Sequence, residues 1–436
     1  MLAVRAQRFA ALATLVARVY AGYKVIQLRH RAARAFGQRN GRTNERLARH
    51  HRWSAEGLYA VATRLEGLPI KVCQFLGSRA DVLPAEYVEI LSKLQDRVPP
   101  RPLATLLPML RAELEQPVES VFAELDREPI ASASLAQVHR GRLHDGREVA
   151  VKIQYPDIRD VVRIDLENFT VLVGILARLE PNFDFRVILR EVRKYVPLEL
   201  DFEHEADNAD RMRRHLAART DVVVPQIVRP LSSSRVLVME FMPGVRVTDV
   251  AALRRIGVEP ADVARRLIDV FCEQILVHGF FHGDPHPGNI LVQPSGRLVL
   301  LDFGLAKDFE PGFAAGVTRL TAAILSGNRT RVGPAFRALG FRTRRDDDES
   351  LAWLGEAFLG WAVRNGRSFA DPEMIQRFGE EMPRVMKDNP VTEVPADVLL
   401  VGRVMGLLSG VGKQLGADVD LASTLMPYLG GARSSA

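Results

Sequence analysis

The spacing of apolar and polar residues changes period several times along the chain, and each change predicts a change of element. From 1 to about 115 the apolar positions recur at helical spacing, with amphipathic runs at 85–94 and 102–114 separated by Pro99-Pro100. Between about 120 and 155 the period shortens to two. Runs at 121–125, 135–143 and 148–154, with a turn at 144–147, predict a three-stranded antiparallel sheet. Helix returns from about 156 and gives way to strands at 222–228 and 235–241. A helical body from 246 to 436 is interrupted by one loop and by two apolar runs around Pro294-Ser295-Gly296, which predict a hairpin. The resulting class is α+β. Its predicted parts are a basic arm at 1–55, a helical extension at 56–118, a sheet-bearing lobe at 119–243 and a helical lobe at 244–436.

Composition adds little to that picture until charge is divided along the chain. A hydrophobic content of 47% suffices for one large core or two lobes and excludes a disordered chain. The two cysteines, Cys73 and Cys272, form neither a disulfide framework nor a zinc spacing, which fits a reducing compartment with the cytoplasm as default. Residues 1–52 hold eleven Arg and one Lys against Glu45, a net of +11, so with +6 overall the remainder carries −5. A basic arm therefore precedes a mildly acidic body. Within it positions 9–17 are nearly all apolar, and no stretch reaches the length expected of a spanning helix. A packed helix and a helix lying on anionic lipid headgroups both fit. A signal peptide does not, because no small-residue cleavage site follows a clean apolar core. Aromatics for base stacking are sparse, so a nucleic-acid partner is not expected.

The densest chemistry lies at His282-Gly283-Asp284-Pro285-His286-Pro287-Gly288-Asn289, followed thirteen residues past the asparagine by Asp302-Phe303-Gly304. Moving a terminal phosphate requires an acid that orients the attacking oxygen and oxygen ligands that hold Mg2+ against the phosphates. Asp284 fits the first role, and Asn289 with Asp302 the second. The hairpin between them would bring the two ends together. Gly283 stands where most protein kinases carry the Arg that reads a phosphorylated activation loop, so that regulation is not expected. No Ala-Pro-Glu anchor follows Gly304, and a helix is expected soon after Pro311-Gly312.

Upstream residues complete a nucleotide site. In the strand 148–154, Val149, Val151 and Ile153 share one face, and Lys152 projects from the other, where it would neutralise phosphates. Its glutamate partner should lie on a following helix; of the acids at 199–205, Glu205 opens the clearest helical run, with Glu203 also available. Ala131, Ser132, Ala133 and Ser134 occupy the place of a Gly-rich phosphate loop, and their Cβ atoms restrict the backbone more than glycine would. Adenine would be held by backbone at Glu240-Phe241-Met242, so that the nucleotide sits between a sheet-rich small lobe and a helical large one. That layout resembles the bilobal protein-kinase fold with an added N-terminal helical region.

The motifs together resemble the UbiB/AarF atypical kinases, also called the ADCK family, over about 60–415. The family's Lys-x-Gly-Gln signature looks like Lys71-Val72-Cys73-Gln74, its Ala-rich loop like 131–134, and its Glu-x-Asp signature like Glu199-Leu200-Asp201 ahead of Glu205. The resemblance implies ATP and Mg2+ as cofactors and slow ATP hydrolysis or phosphotransfer. It also implies a tie to ubiquinone or other isoprenoid-lipid metabolism, with an anionic membrane surface and a lipid-biosynthetic complex as partners. The location implied is peripheral, at the inner face of the membrane. Lys71, Gln74, Glu199 and Asp201 would gate the site, covering the place of a protein substrate, so none is expected. Cys73 departs from the family glycine, which puts the seating of that cover in question. Family members often add spanning helices near the C-terminus, but the apolar positions 396–408 are broken by Asp397 and Arg403. Two other readings stay open: a small-molecule kinase of the aminoglycoside or choline type, and an ATP-binding scaffold without turnover.

Overall fold

The first helix, α1 (Leu2–Ala35), runs unbroken for 34 residues. The structure, a computed structural model, describes residues 2–35, 43–77, 83–95, 100–180, 186–345, 347–355, 389–417 and 421–429; Pro99, Arg39 and Arg42 of the basic arm, and the end of the chain lie outside them. The length of α1 corrects the expectation that no stretch is long enough to span a membrane. Ala3–Ala33 passes that test by length and composition alone, because between Phe9 and Ile26 only Arg18 and Lys24 interrupt the apolar run. Polar ties also hold α1 to the chain. Arg8 is buried and pairs with the fully buried Asp165, while Arg5 pairs with Glu167 and Lys24 with Glu180.

Two units account for the chain, one of residues 1–204 with 228–241 and the other of 205–227 with 242–436. In the first, α2 (Thr43–Leu65), α3 (Leu68–Gly77) and α4 (Ala85–Leu91) enclose a core of Ala55, Ala62, Ile70, Cys73 and Leu91. After α5 (Leu107–Leu114) and α6 (Val118–Val121) comes an antiparallel sheet of β1 (Phe122–Leu125), β2 (Ala131–Ser132), β3 (Ala136–Leu143) and β4 (Glu148–Gln154). The sheet exceeds the expected three strands. The 131–132 pair adds to β3, and a further strand at 236–240 pairs with β4, giving the order 1-3-4 and then that strand. Val149, Val151 and Ile153 bury their expected face in the core, each at 1% exposure or less, worth about 1.5–3 kcal/mol apiece. They pack there with residues of α7 (Ile158–Leu179) and α8 (Arg186–Glu199).

The helix α9 (Phe202–His215) crosses from one unit into the other at 204/205. The expected strand at 222–228 is reduced to β5 (Val222–Val223), and it joins the second unit's sheet instead of the first's. The remaining strand of the first unit is β6 (Val236–Glu240). In the second unit β5 runs parallel to β10 (Leu298–Leu300), which forms the expected hairpin with β9 (Ile290–Val292); β7 (Val245–Arg246) closes that sheet. Gly296 takes φ +78° at the hairpin turn, a conformation that favours glycine.

Helices α10 (Val250–Arg255) and α11 (Pro260–Glu273) precede a π-helical turn at Gln274–His278. The C-terminal body is not helix alone, as expected, because two-residue strands also pair there. β8 (Phe280–Phe281) pairs with β11 (Lys307–Asp308), and β12 (Arg342–Thr343) with β13 (Val391–Glu393). Around them lie α12 (Phe313–Leu325), α13 (Arg329–Ala338), α14 (Asp348–Gly355), α15 (Ala396–Gln414) and α16 (Leu421–Leu429).

Candidate functional site

In the first unit, Lys152 stands at the centre of β4, half-buried, opposite Val138 on β3 and Leu237 on β6. Its ammonium lies 5.0 Å from the ring centroid of Phe202, a cation–π contact that orients the chain. Ala131 and Ser132 continue the ladder with β3, and Ala133 donates its N–H to Ala136 O at 2.8 Å, so that amide is committed within the loop. Ser134 is buried, and its Oγ has no hydrogen-bond partner. Glu240 ends β6 exposed, and Phe241 N donates to Glu148 O at 3.1 Å.

The residues expected to form a cover make different contacts. Helix α3 packs against α7 and α8, which brings Lys71 Nζ into an ion pair with Glu199 at the end of α8. Asp201 does something else: its Oδ1 accepts the N–H of Glu203 at 3.1 Å, capping the start of α9. Gln74 donates to Leu94 O at 3.0 Å, joining α3 to the turn after α4. Cys73, two positions from Lys71, points the opposite way into the α2–α4 core at 3% exposure. Its thiol therefore stays clear of the Lys71–Glu199 pair, and burial pushes it up to about 12.

In the second unit the loop before β9 is held by backbone and side-chain hydrogen bonds within itself. His286 N donates to Asp284 O at 2.8 Å, Asn289 N to His286 O at 2.8 Å, and Asn289 Nδ2 to Asp284 O at 3.1 Å. The last bond fixes the orientation of the amide through one of its two N–H groups, and its Oδ1 is the group that could bind a metal. Asp302 takes φ +60°, a left-handed conformation uncommon for a side-chain-bearing residue and a mark of strained functional sites. Its Oδ1 accepts the N–H of Gly304 at 3.3 Å. Gly283 is required by close approach, because a Cβ there would fall 2.3 Å from Leu305 O. The position that carries Arg in most kinases here admits no side chain without movement of the Leu305 backbone.

Supporting contacts fix this loop. The buried His282 accepts Asp284 N–H on Nδ1 at 3.2 Å, so its Nε2 carries the proton and donates to Leu301 O at 2.8 Å. Gln274, in the π-helical turn, accepts His282 N–H at 2.8 Å. Glu205 is buried on α9, 3.9 Å from where a Gly304 Cβ would lie. One turn on, Asn208 Nδ2 donates to Phe303 O at 3.0 Å and Ala306 O at 3.3 Å. Met242 is buried and accepts from Gln293 Nε2 through sulfur at 3.9 Å. Among the described residues no group of three or more His, Cys, Asp and Glu is assembled for a metal. A hard cation brought in on phosphate oxygens needs only one or two protein oxygens, which Asp302 and Asn289 could supply.

Gln274 and Asn208 were not anticipated. Asn208 follows Glu205 at helical i+3, a signal that could have found it; nothing in the sequence marks the π-helical turn. A carboxylate from farther along the chain ties down the segment after Gly304. Asp397, expected to break an apolar run, is buried on α15, where it accepts from Lys307 Nζ at 3.0 Å and from Glu310 N at 3.0 Å.

A strand lysine, an Asp-x4-Asn loop and a left-handed Asp before Phe-Gly define a kinase-like α+β protein. Residues 93–335, just over half the chain, match the ABC1 atypical kinase-like domain, and the chain belongs to this UbiB/AarF family. The chain is 32% identical over 428 residues to the chloroplastic protein ACTIVITY OF BC1 COMPLEX KINASE 8 of Arabidopsis thaliana, covering 90% of this chain and 56% of the relative. It is 37% identical over 386 residues to AarF domain-containing protein kinase 1 of Gallus gallus, covering 86% and 73%. The chain thus spans little more than half the length of several such relatives, 58% for the Drosophila melanogaster AarF domain-containing kinase 1. A Mycobacterium tuberculosis protein solved in complex with erythromycin superposes with a TM-score of 0.61 at 26% identity, covering 88% of this chain and 99% of that one.

Proposed function

We propose that this chain is an atypical kinase or ATPase that binds Mg-ATP and acts in ubiquinone or other isoprenoid-lipid metabolism at a membrane. The observation that carries the ATP chemistry is the pairing, within one unit, of Asn289 locked to the Asp284 carbonyl with Asp302 in left-handed backbone. Asp302 and Asn289 would hold Mg2+, and the bound cation would offset charge on the phosphates. Asp284 orients the attacking hydroxyl or water. Lys152 neutralises the phosphates, Glu205 serves the same charge network, and Ala131–Ser134 approaches the phosphates. Glu240 and Met242 flank the backbone that takes adenine. Lys71 with Glu199 holds the helical extension as a cover, with Asp201 and Gln74 fixing its surroundings. A cover of this kind favours a small or lipid-like acceptor, or water, over a peptide.

The membrane part rests on family membership and on α1, an apolar helix flanked by arginines. The test is Mg-ATP turnover by the purified chain with and without liposomes of anionic lipid, beside the quinone profile of a deletion strain. Turnover that Asp302→Asn abolishes while the melting temperature holds is expected, with stimulation by the liposomes and a depleted quinone pool. Unchanged turnover in Asp302→Asn would falsify the catalytic assignment. A normal quinone pool without liposome stimulation removes the lipid part.

A further inference from the structure

The side chain that fixes the Ala-rich loop is Tyr155, the first residue after β4, which no motif singles out. It is 1% exposed, and its hydroxyl lies 3.1 Å from Ser132 Oγ and 3.2 Å from Ala133 O. A carbonyl only accepts, so the phenol proton goes to Ala133 O and Ser132 Oγ donates to the phenol oxygen. Tyr155 N also donates to Leu135 O at 3.1 Å, so one residue holds the loop at Ser132 and Ala133 and the chain just past it at Leu135. Burial holds the phenol above its ordinary value, which keeps it a donor throughout the physiological range.

Tyr155 is in turn held from the helical extension. The Arg101 guanidinium stacks 4.2 Å from the centroid of its ring. That guanidinium donates to Asp157 at 2.7 Å and to Glu66 at 2.9 Å. Arg101 also exchanges two backbone hydrogen bonds of 2.9 Å with the Gln137 side chain on β3. Glu66 itself sits at φ +54° in the bend between α2 and α3, where Arg8 donates to Leu65 O at 2.6 Å. A continuous line of contacts therefore runs from the bend that carries α3 to the loop at 131–134. The phenol is its last link.

We propose that Tyr155 is a positioning residue for phosphate recognition, holding the Ala-rich loop in register, with Arg101 as the link that ties that register to the helical extension. This rests on the loop's role in the function proposed above. An Ala/Ser loop lacks the conformational range of glycine but still needs a brace, because two of its four residues lie past the last ladder pair. A hydroxyl bonded to the carbonyl at the turn supplies one without covering the face that meets phosphate.

The test compares binding of Mg-ATP and of adenosine, which lacks phosphates, by calorimetry in the full chain and in Tyr155→Phe. The ring and its stacking with Arg101 persist in that variant. Loss of both neutral hydrogen bonds of the phenol predicts ATP affinity about 5- to 100-fold weaker, with adenosine affinity unchanged. Ser132→Ala, which removes one of the two hydroxyl contacts, should give a smaller loss of the same kind and serves should Tyr155→Phe fail to fold. Equal ATP affinity in wild type and both variants overturns the proposal, as does an equal loss for ATP and adenosine. A wild-type chain that binds adenosine and ATP equally overturns the underlying reading of the loop, and the proposal with it.

Discussion

Replacing Gly283 by Ala tests the close approach between the two halves of the second unit's motif. A Cβ at 283 would sit 2.3 Å from Leu305 O and 3.3 Å from its carbonyl carbon. Since such atoms rarely come closer than about 3.0 Å, the loop of Asp284 and the segment after Asp302-Phe303-Gly304 must separate by about 0.7 Å or more. Overpacking of this size costs about 1–3 kcal/mol. The smaller backbone entropy of an unfolded Ala chain offsets about 0.4–1 kcal/mol of that. The net expectation is a loss of about 1–2 kcal/mol, a fall in melting temperature of about 2–8 °C for domains of this size. Turnover should suffer more than stability, because shifting reacting groups by approaching 1 Å can cost about 100-fold. Differential scanning fluorimetry and Mg-ATP turnover read the two effects separately. A Gly283→Ala protein with wild-type melting and wild-type turnover would refute the close-approach argument. Gly283→Arg, which restores the residue of most kinases, should be worse than Ala on both counts, since it adds bulk without giving the Leu305 carbonyl anywhere to go.

Three further outcomes follow from named contacts. Lys71→Glu places an acid beside Glu199 and should lower the melting temperature, while Lys71→Glu with Glu199→Lys should recover it; a coupling of about 1 kcal/mol is expected for a half-buried pair, and additive single effects in the double-mutant cycle would dismiss the cover contact. Both thiols are pushed up to about 12 by burial, so an aromatic disulfide reagent at pH 8 should label neither Cys73 nor Cys272 in the native protein and both in guanidinium; rapid native labelling would contradict their burial. Arg219 pairs with Asp221, Asp269 and Glu273; against the pull of burial it holds the Asp221 carboxyl below its ordinary value, and His278 and Arg219 together do the same for Glu273. Carboxyls lowered in the folded state stabilise it above their unfolded values, and that contribution fades as pH falls through the lowered ones. Wild type should therefore lose stability below about pH 4 more steeply than Arg219→Ala, by about 1 kcal/mol or less given solvent screening, in melting curves from pH 3 to 7; parallel curves would count against it.

Local pattern carried the fold where neighbours in sequence are neighbours in space. β4 is legible to the residue because alternation and a Gly-containing turn delimit it, and the β9–β10 hairpin for the same reason. β5 is not legible in its pairing, since its partner β10 lies far along the chain and runs parallel to it. No periodicity within 222–228 says which sheet will take that segment. The length of α1 is not legible from its apolar run at 9–17, which spans only nine residues of the 34 in the helix. In a helix, the flanking arginines can reach partners such as Asp165 and Glu167 without ending the apolar stripe.

The site divides along the same line, and the division is chemical. Asp284, Asn289 and Asp302 are legible because the proposed phosphoryl transfer demands those groups, and a short hairpin sets their spacing. The residues that orient them answer to the backbone they meet. Asn208 reaches a carbonyl 95 residues away, and Asp397 a lysine 90 residues away. An amide or a carboxylate at such a position carries no label in sequence. Asp397 makes the point most sharply, because a charge in an apolar helix counts against that helix until its two donors are known. With Lys307 and the Glu310 amide in place, the same charge fastens the segment that follows Asp302 to α15.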